Sequence, residues 1–180
     1  MRRISISRIS LTPILLPLAL LSVTGHAPPQ AMNAPRCDTP EYAQFRYWVG
    51  DWTVTGVGGK TVGTNRVTLE EDGCLIHEHW DGVGGSTGQS FNFYDRSDGK
   101  WHQVWVSNDG GTLFLTGNVV GNELVYTMER PAPGGKSVSH RLTFTLNADG
   151  SVRQFWQTST DHGASWQVAF DGLYRKQGTH

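Results

Sequence analysis

The chain of 180 residues carries a formal net charge of −1, 22 glycines and only two cysteines. That length holds one ordinary domain and a short extra segment. The charge balance excludes nucleic acid as the main partner, because such binding calls for a basic face.

The extra segment stands first. Arg2, Arg3 and Arg8 form a basic head, Leu11 to Val23 is an uncharged apolar run, and Gly25-His26-Ala27 offers the small residues of a cleavage site. Residues 1–27 therefore read as a signal peptide, and the run is too short for a comfortable membrane span. Without its three arginines, twelve basic and sixteen acidic groups remain, a formal charge of about −4. No second hydrophobic span follows, so no membrane span is expected after signal removal, and a periplasmic or secreted location is expected. In an oxidising compartment Cys37 and Cys74 have one intramolecular pairing open to them, the alternative being two buried thiols. Residues 28–38 are rich in Pro and Ala and read as a flexible leader, which leaves 39–180 as the folded domain.

Thr39-Pro40-Glu41 reads as a helix start, with Thr39 as cap and Pro40 at the first helical position. Gly50 ends this short helix, whose Tyr42, Phe45, Tyr47 and Trp48 make an aromatic side. Beyond it, β-branched and aromatic stretches alternate with turns every 8–12 residues or so. Asp72-Gly73, Ser97-Asp98-Gly99, Asn108-Asp109-Gly110-Gly111, Gly121-Asn122 and Asn147-Ala148-Asp149-Gly150 supply residues that tolerate positive φ. The strands fall near 51–57, 63–71, 74–81, 88–95, 100–107, 112–119, 123–130, 138–146, 151–159 and 166–175. About ten strands joined by hairpins predict an all-β, up-and-down antiparallel barrel of the lipocalin-like kind, since closure hides every edge. A two-sheet sandwich is the competing architecture. The stretch from Ser159 to Trp166 matches the Asp-box of sialidase propellers, but it occurs once, so a hairpin device is expected.

Gly50-Asp51-Trp52 resembles the Gly-x-Trp motif of the lipocalin and fatty-acid-binding superfamily. That resemblance implies a Trp at the closed end beneath a basic side chain of the last strand, here Arg175 over Trp52. A wider likeness runs through Phe45-Arg46-Tyr47-Trp48-Val49-Gly50-Asp51-Trp52, Asp72-Gly73-Cys74, Glu78-x-Trp80, Gly88-x-Ser90 with Tyr94-Asp95, and Trp101-x-Gln103-x-Trp105-Val106. It continues through Val152-Arg153-Gln154 to Ser159-x-Asp161-x-Gly163-x-x-Trp166. In these motifs the chain resembles a family of bacterial secreted lipocalin-like (calycin-type) barrels of unknown function. The resemblance implies the fold and a secreted habit, and brings no activity with it. Ser107 stands where the family pattern has Asp, and Gln157 where an acidic residue is frequent.

Alternation places the polar candidates. Ile76, Glu78 and Trp80 share one face, and Ile and Trp mark it as interior. Trp101, Gln103 and Trp105 share another. On the fourth strand, Ser90, Asn92 and Tyr94 oppose Phe91 and Phe93 with no clear winner. Arg141 with Thr143, and Arg153 with Phe155, Gln157 and Ser159, are also read as inward. The predicted ligand site is therefore Glu78, Trp80, Ser90, Gln103, Trp105, Arg141 and Arg153, with aromatic walls and a few fixed polar groups. A salt bridge from Glu78 to Arg141 or Arg153 that merely fixes the core is the plainer alternative. His77-x-His79 offers two metal ligands without a third, and a lone His for haem is equally unsupported, so neither metal nor other cofactor is expected.

The sequence thus predicts an exported barrel that binds a small, partly polar molecule. The alternatives are a cofactor-free isomerase, lyase or cyclase using Glu78 as acid or base, and an envelope protein with a filled barrel.

Overall fold

The alternating segments form ten strands: β1 (Gly50–Thr55), β2 (Thr61–Glu70), β3 (Leu75–Gly82), β4 (Thr87–Asp95), β5 (Lys100–Ser107), β6 (Thr112–Val120), β7 (Glu123–Ala132), β8 (Lys136–Leu146), β9 (Val152–Ser159) and β10 (Gln167–Lys176). In this computed structural model, which describes residues 37–178, each strand pairs antiparallel with its neighbour in the chain. β1 and β10 then pair from Trp52↔Lys176 to Thr55↔Leu173, so the sheet closes into a barrel and no sandwich forms. The expected signal peptide and residues 28–36 of the expected leader lie outside the described residues.

Closure works because most strands have an apolar-biased face to turn inward, β4 with its inward Ser90 and Asn92 being the exception. Val54, Val67, Ile76, Trp101, Leu115, Leu124, Tyr126, Leu142, Phe144, Val152 and Tyr174 are all buried on that face. One end of the barrel is sealed by the segment before β1. Helix α1 (Pro40–Ala43) and a 3-10 turn (Arg46–Trp48) lay Phe45 and Trp48 under the barrel, both fully buried. Phe45 stacks on Trp48 at 4.9 Å and meets Phe144 edge-on at 5.0 Å. Such contacts add specific geometry to a large apolar burial.

Two tethers hold the plug. Trp52 Nε1 donates to the Trp48 carbonyl at 2.8 Å. Cys37 and Cys74 form a disulfide, and Arg46 Nη2 donates to the Cys37 carbonyl at 2.8 Å. The bridge spans 37 residues of sequence, for which loop entropy suggests a stabilisation of about 3–4 kcal/mol. Gly73 reaches φ +92°, a conformation that strains any other residue, and a Cβ there would lie 2.9 Å from Arg46 Nη2 and push that group from its bond to Cys37.

The basic residue over Trp52 is Lys176, not Arg175: its Nζ lies 5.4 Å from the ring centroid. The pleat decides this. Tyr174 is buried inside the barrel, so Lys176 shares its face, while Arg175 pairs with Thr53 on the outside and is exposed. The segment Ser159–Trp166 is a hairpin turn. Asp161 Oδ1 accepts from the Ser165 amide at 2.9 Å, and Ser159 Oγ accepts from the Gly163 amide at 2.8 Å. The Ser159 and Ser165 hydroxyls, with the Ser165 amide, hold the Asp161 carboxyl down to about 2.

Candidate functional site

Above the plug the inner face becomes polar. Register sets Asn65 on β2, Glu78 on β3, Ser90 on β4 and Gln103 on β5 around one part of the wall, and each is at most 3% exposed. Their side chains form one network. Asn65 Nδ2 donates to Glu78 Oε1 at 2.7 Å, and Ser90 Oγ donates to Oε2 at 2.5 Å. Ser90 Oγ in turn accepts from Asn92 Nδ2 at 2.9 Å, and Asn92 Oδ1 accepts from Gln103 Nε2 at 3.0 Å. Tyr126 OH closes the chain on Asn92 Oδ1 at 3.3 Å.

Every member except Glu78 is neutral, and among the described residues no cationic side chain lies within ion-pair distance of it. The core salt bridge considered from sequence does not form. Burial pushes the Glu78 carboxyl up to about 7, against the opposing pull of the hydrogen bonds from Ser90 and Asn65. A buried carboxylate is costly unless it is paired and hydrogen-bonded, and Glu78 has hydrogen bonds without a counter-charge.

Glu78 and Gln103 face an open cavity of about 500 Å³ that runs from the polar floor to the mouth of the barrel. Trp80, Trp105, Trp156 and Phe170 line it. The first two rings lie against bare backbone: a Cβ on Gly63 would meet Trp80 at 2.5 Å, and one on Gly88 would meet Trp105 at 2.2 Å. Phe170 covers Gly172 in the same way, at 2.5 Å. The aromatic side chains thus thicken the wall at glycine positions rather than cross the lumen. Here the glycines keep the cavity open.

The structure places Glu78, Trp80, Ser90, Gln103 and Trp105 together on the inner face, and the ambiguous fourth strand turns Ser90 and Asn92 inward with Phe91 exposed outside. Arg141 and Arg153 are not part of the site. Both point outward, because Leu142 and Phe144 occupy the inner face of β8, and Val152 and Trp156 that of β9. Arg141 donates to Gln157 Oε1 at 2.8 Å and stacks over Trp166 at 4.3 Å. Arg153 forms a two-pronged pair with Asp171, both bonds at 2.8 Å, and lies over Phe155.

The cationic groups that do line the cavity are Arg130 and His140, near the mouth. Arg130 Nη2 donates to the Thr112 carbonyl and, at 3.0 Å, to its hydroxyl. His140 Nδ1 accepts from Trp156 Nε1 at 3.2 Å, since indole nitrogen only donates. Neutral His140 therefore carries its proton on Nε2, and burial together with Arg130 lowers its pKa. Gln154 also lines the cavity and accepts from Tyr174 OH. Arg130 and His140 escaped the sequence reading although the signal was there: Leu124-x-Tyr126-x-Met128 and Leu142-x-Phe144-x-Leu146 carry them onto inner faces.

Outside the barrel, His77 and His79 lie with ring centroids 4.0 Å apart. Both nitrogens of His77 already meet oxygen, Nδ1 to Glu70 at 3.2 Å and Nε2 to Gln89 at 2.9 Å. Asp95, Asp98 and His102 also gather at the β4–β5 hairpin. Their contacts there are those of the turn itself, with Asp95 Oδ1 accepting from the Ser97 amide at 2.7 Å and Asp98 Oδ1 from the Lys100 amide at 3.0 Å.

The chain matches no protein-family model and no curated protein sequence. The closed ten-stranded antiparallel barrel is consistent with a calycin-like fold.

Proposed function

We propose that this chain is an exported barrel that binds a small, partly polar molecule in its lumen. The observation that carries this is the 500 Å³ cavity with aromatic walls and a hydrogen-bonded polar floor, the composition usual for small-molecule sites. That much open space also argues against a barrel filled by its own side chains. Export is supported by the Cys37–Cys74 disulfide and the apolar N-terminal run. Among the described residues no helix is long and apolar enough to cross a membrane.

Native mass spectrometry of residues 28–180, purified from the periplasm without refolding, tests the proposal. A reproducible extra mass that is lost on denaturation is expected. A bare mass from every growth medium would remove its support.

A second reading has one observation behind it. Glu78 holds a proton up to about 7 beside the cavity, the range suited to a general acid or base. Under that reading Glu78→Gln abolishes turnover of the bound molecule while leaving its affinity in place.

A further inference from the structure

The floor of the lumen is rich in acceptors and has no positive charge. Each Glu78 oxygen takes one hydrogen bond, from Asn65 or Ser90, while a carboxylate offers about four acceptor positions. Beside it, Asn65 Oδ1 is buried and receives no donor at all. The Glu78 carboxylate, which lines the cavity, thus keeps about two acceptor positions without a donor, suited to the N–H groups of an ammonium. The rings of Trp80, Trp105 and Trp156 line the space above, and aromatic faces attract cations.

The cations that share the cavity stand elsewhere. Arg130 is exposed near the mouth and committed to Thr112, and neither it nor His140 makes an ion pair with Glu78. The carboxylate form of Glu78 thus lacks a counter-charge that a ligand can bring.

We propose that the lumen takes an organic amine, with its ammonium seated on Glu78 and its flat apolar body between Trp80, Trp105 and Trp156. This inference rests on the binding function proposed above and narrows its ligand to one charge class. Arg130 and His140 at the mouth then face the far end of the molecule, where an acceptor group is tolerated.

The pH dependence follows from the groups that line the floor and the cavity. β2, β4 and β5 present the neutral Asn65, Ser90, Asn92 and Gln103, while β7 presents Tyr126 and Arg130, β8 His140, and β10 Tyr174. Tyr126 and Tyr174 stay neutral, because burial raises both far above the ordinary phenol range. The Arg130 guanidinium stands at the mouth, and Asp109 at the rim stays ionised, held down by Ser107 and the Gly111 amide. His140 loses charge as pH rises, which favours a cation in the same direction as Glu78, so a variant must separate the two.

Isothermal titration of the mature protein with tryptamine, 3-ethylindole and indole-3-propionate makes the test, since the three share a ring and differ in charge. At about pH 8, tryptamine is expected to bind roughly tenfold or more tighter than the neutral ring, the scale of a charge-assisted hydrogen bond. Its advantage shrinks near pH 5.5, where Glu78 is protonated. Glu78→Gln removes both the advantage and its pH dependence while keeping the neutral ring bound. A pH dependence that persists in Glu78→Gln would belong to His140 and would overturn the seat on Glu78. In the wild-type protein alone, titration near pH 6 in buffers of different ionisation enthalpy shows a proton released as the amine binds, which needs no variant to fold. If 3-ethylindole or indole-3-propionate binds as tightly as tryptamine at pH 8, the amine inference is wrong and the binding function stands. If none of the three binds, the amine inference falls, and the occupied mass expected in native mass spectrometry decides the binding function.

Discussion

At the closed end, Phe45, Trp48, Trp52, Phe144 and Tyr174 are at most 1% exposed and pack ring against ring. At the open end, Trp80, Trp105, Trp156 and Phe170 are only partly buried and lie against glycine backbone or against His140. The same residue type fills one half of the barrel and lines the other. What separates the halves is the segment outside the sheet. α1 and its 3-10 turn drive Phe45 and Trp48 into the closed end as an extra layer, and among the described residues no such layer enters the open one. Aromatic content therefore says little about whether a barrel is filled. Placement of small residues on the facing strands says more.

The largest effect that would break this comparison comes from truncating one ring at each end. Trp48→Ala is expected to cost about 3–5 kcal/mol, the range for a fully buried aromatic. Trp156→Ala, at a lumen-facing and partly exposed site, is expected to cost about 1 kcal/mol. Urea denaturation of both variants decides it, and equal losses would mean that the open end is packed as tightly as the plug.

Next in size is the pH dependence of stability set by Glu78. The folded carboxyl keeps its proton up to about 7, against 4.5 for the ordinary group. The folded state thus holds more protons on Glu78 between those values, so the contribution of Glu78 to stability is fullest below about pH 4.5 and is lost as pH rises through 7. At 1.36 kcal/mol per unit the loss is roughly 3 kcal/mol. Glu78→Gln should lack this slope, so its stability relative to wild type rises from pH 4.5 to 8. Parallel curves for the two proteins would show that the floor does not isolate Glu78 from water.

The smallest effect sharpens the closed end. Lys176→Gln is expected to cost under about 1 kcal/mol by removing the cation over Trp52. Arg175→Gln should change stability by less than about 0.5 kcal/mol, as for an ordinary surface site. The reverse order, read from thermal midpoints, would return the stacking role to Arg175.

Much of the architecture was legible along the chain. All ten strands lie within two residues of their expected ends, because every hairpin is marked by Gly, Asn or Asp where φ must turn positive. Half of the site was legible from alternation: Ile76 and Trp80 flank Glu78 on β3, Trp101 and Trp105 flank Gln103 on β5, and both pairs name the inner face. β9 was harder, since Trp156 and Phe155 put an aromatic on each face. Its orientation comes from β8, where Leu142 pairs with Trp156 and Arg141 with Gln157. On β8 the apolar residues pointed the right way, and the pull of a charged side chain as a ligand group led the expectation astray.

The sequence by itself determined the number of strands, their turns, the cysteine pair and the inward course of Glu78, all of which follow from local conformational preference and a period of two. Only the tertiary structure decided that Glu78 has no cationic partner, that Arg130 and His140 replace Arg141 and Arg153 in the lumen, and that the rings lie flat enough to leave space. Those outcomes depend on which strands become neighbours across the closed sheet and on where glycines face large rings, and neither is encoded in any one segment.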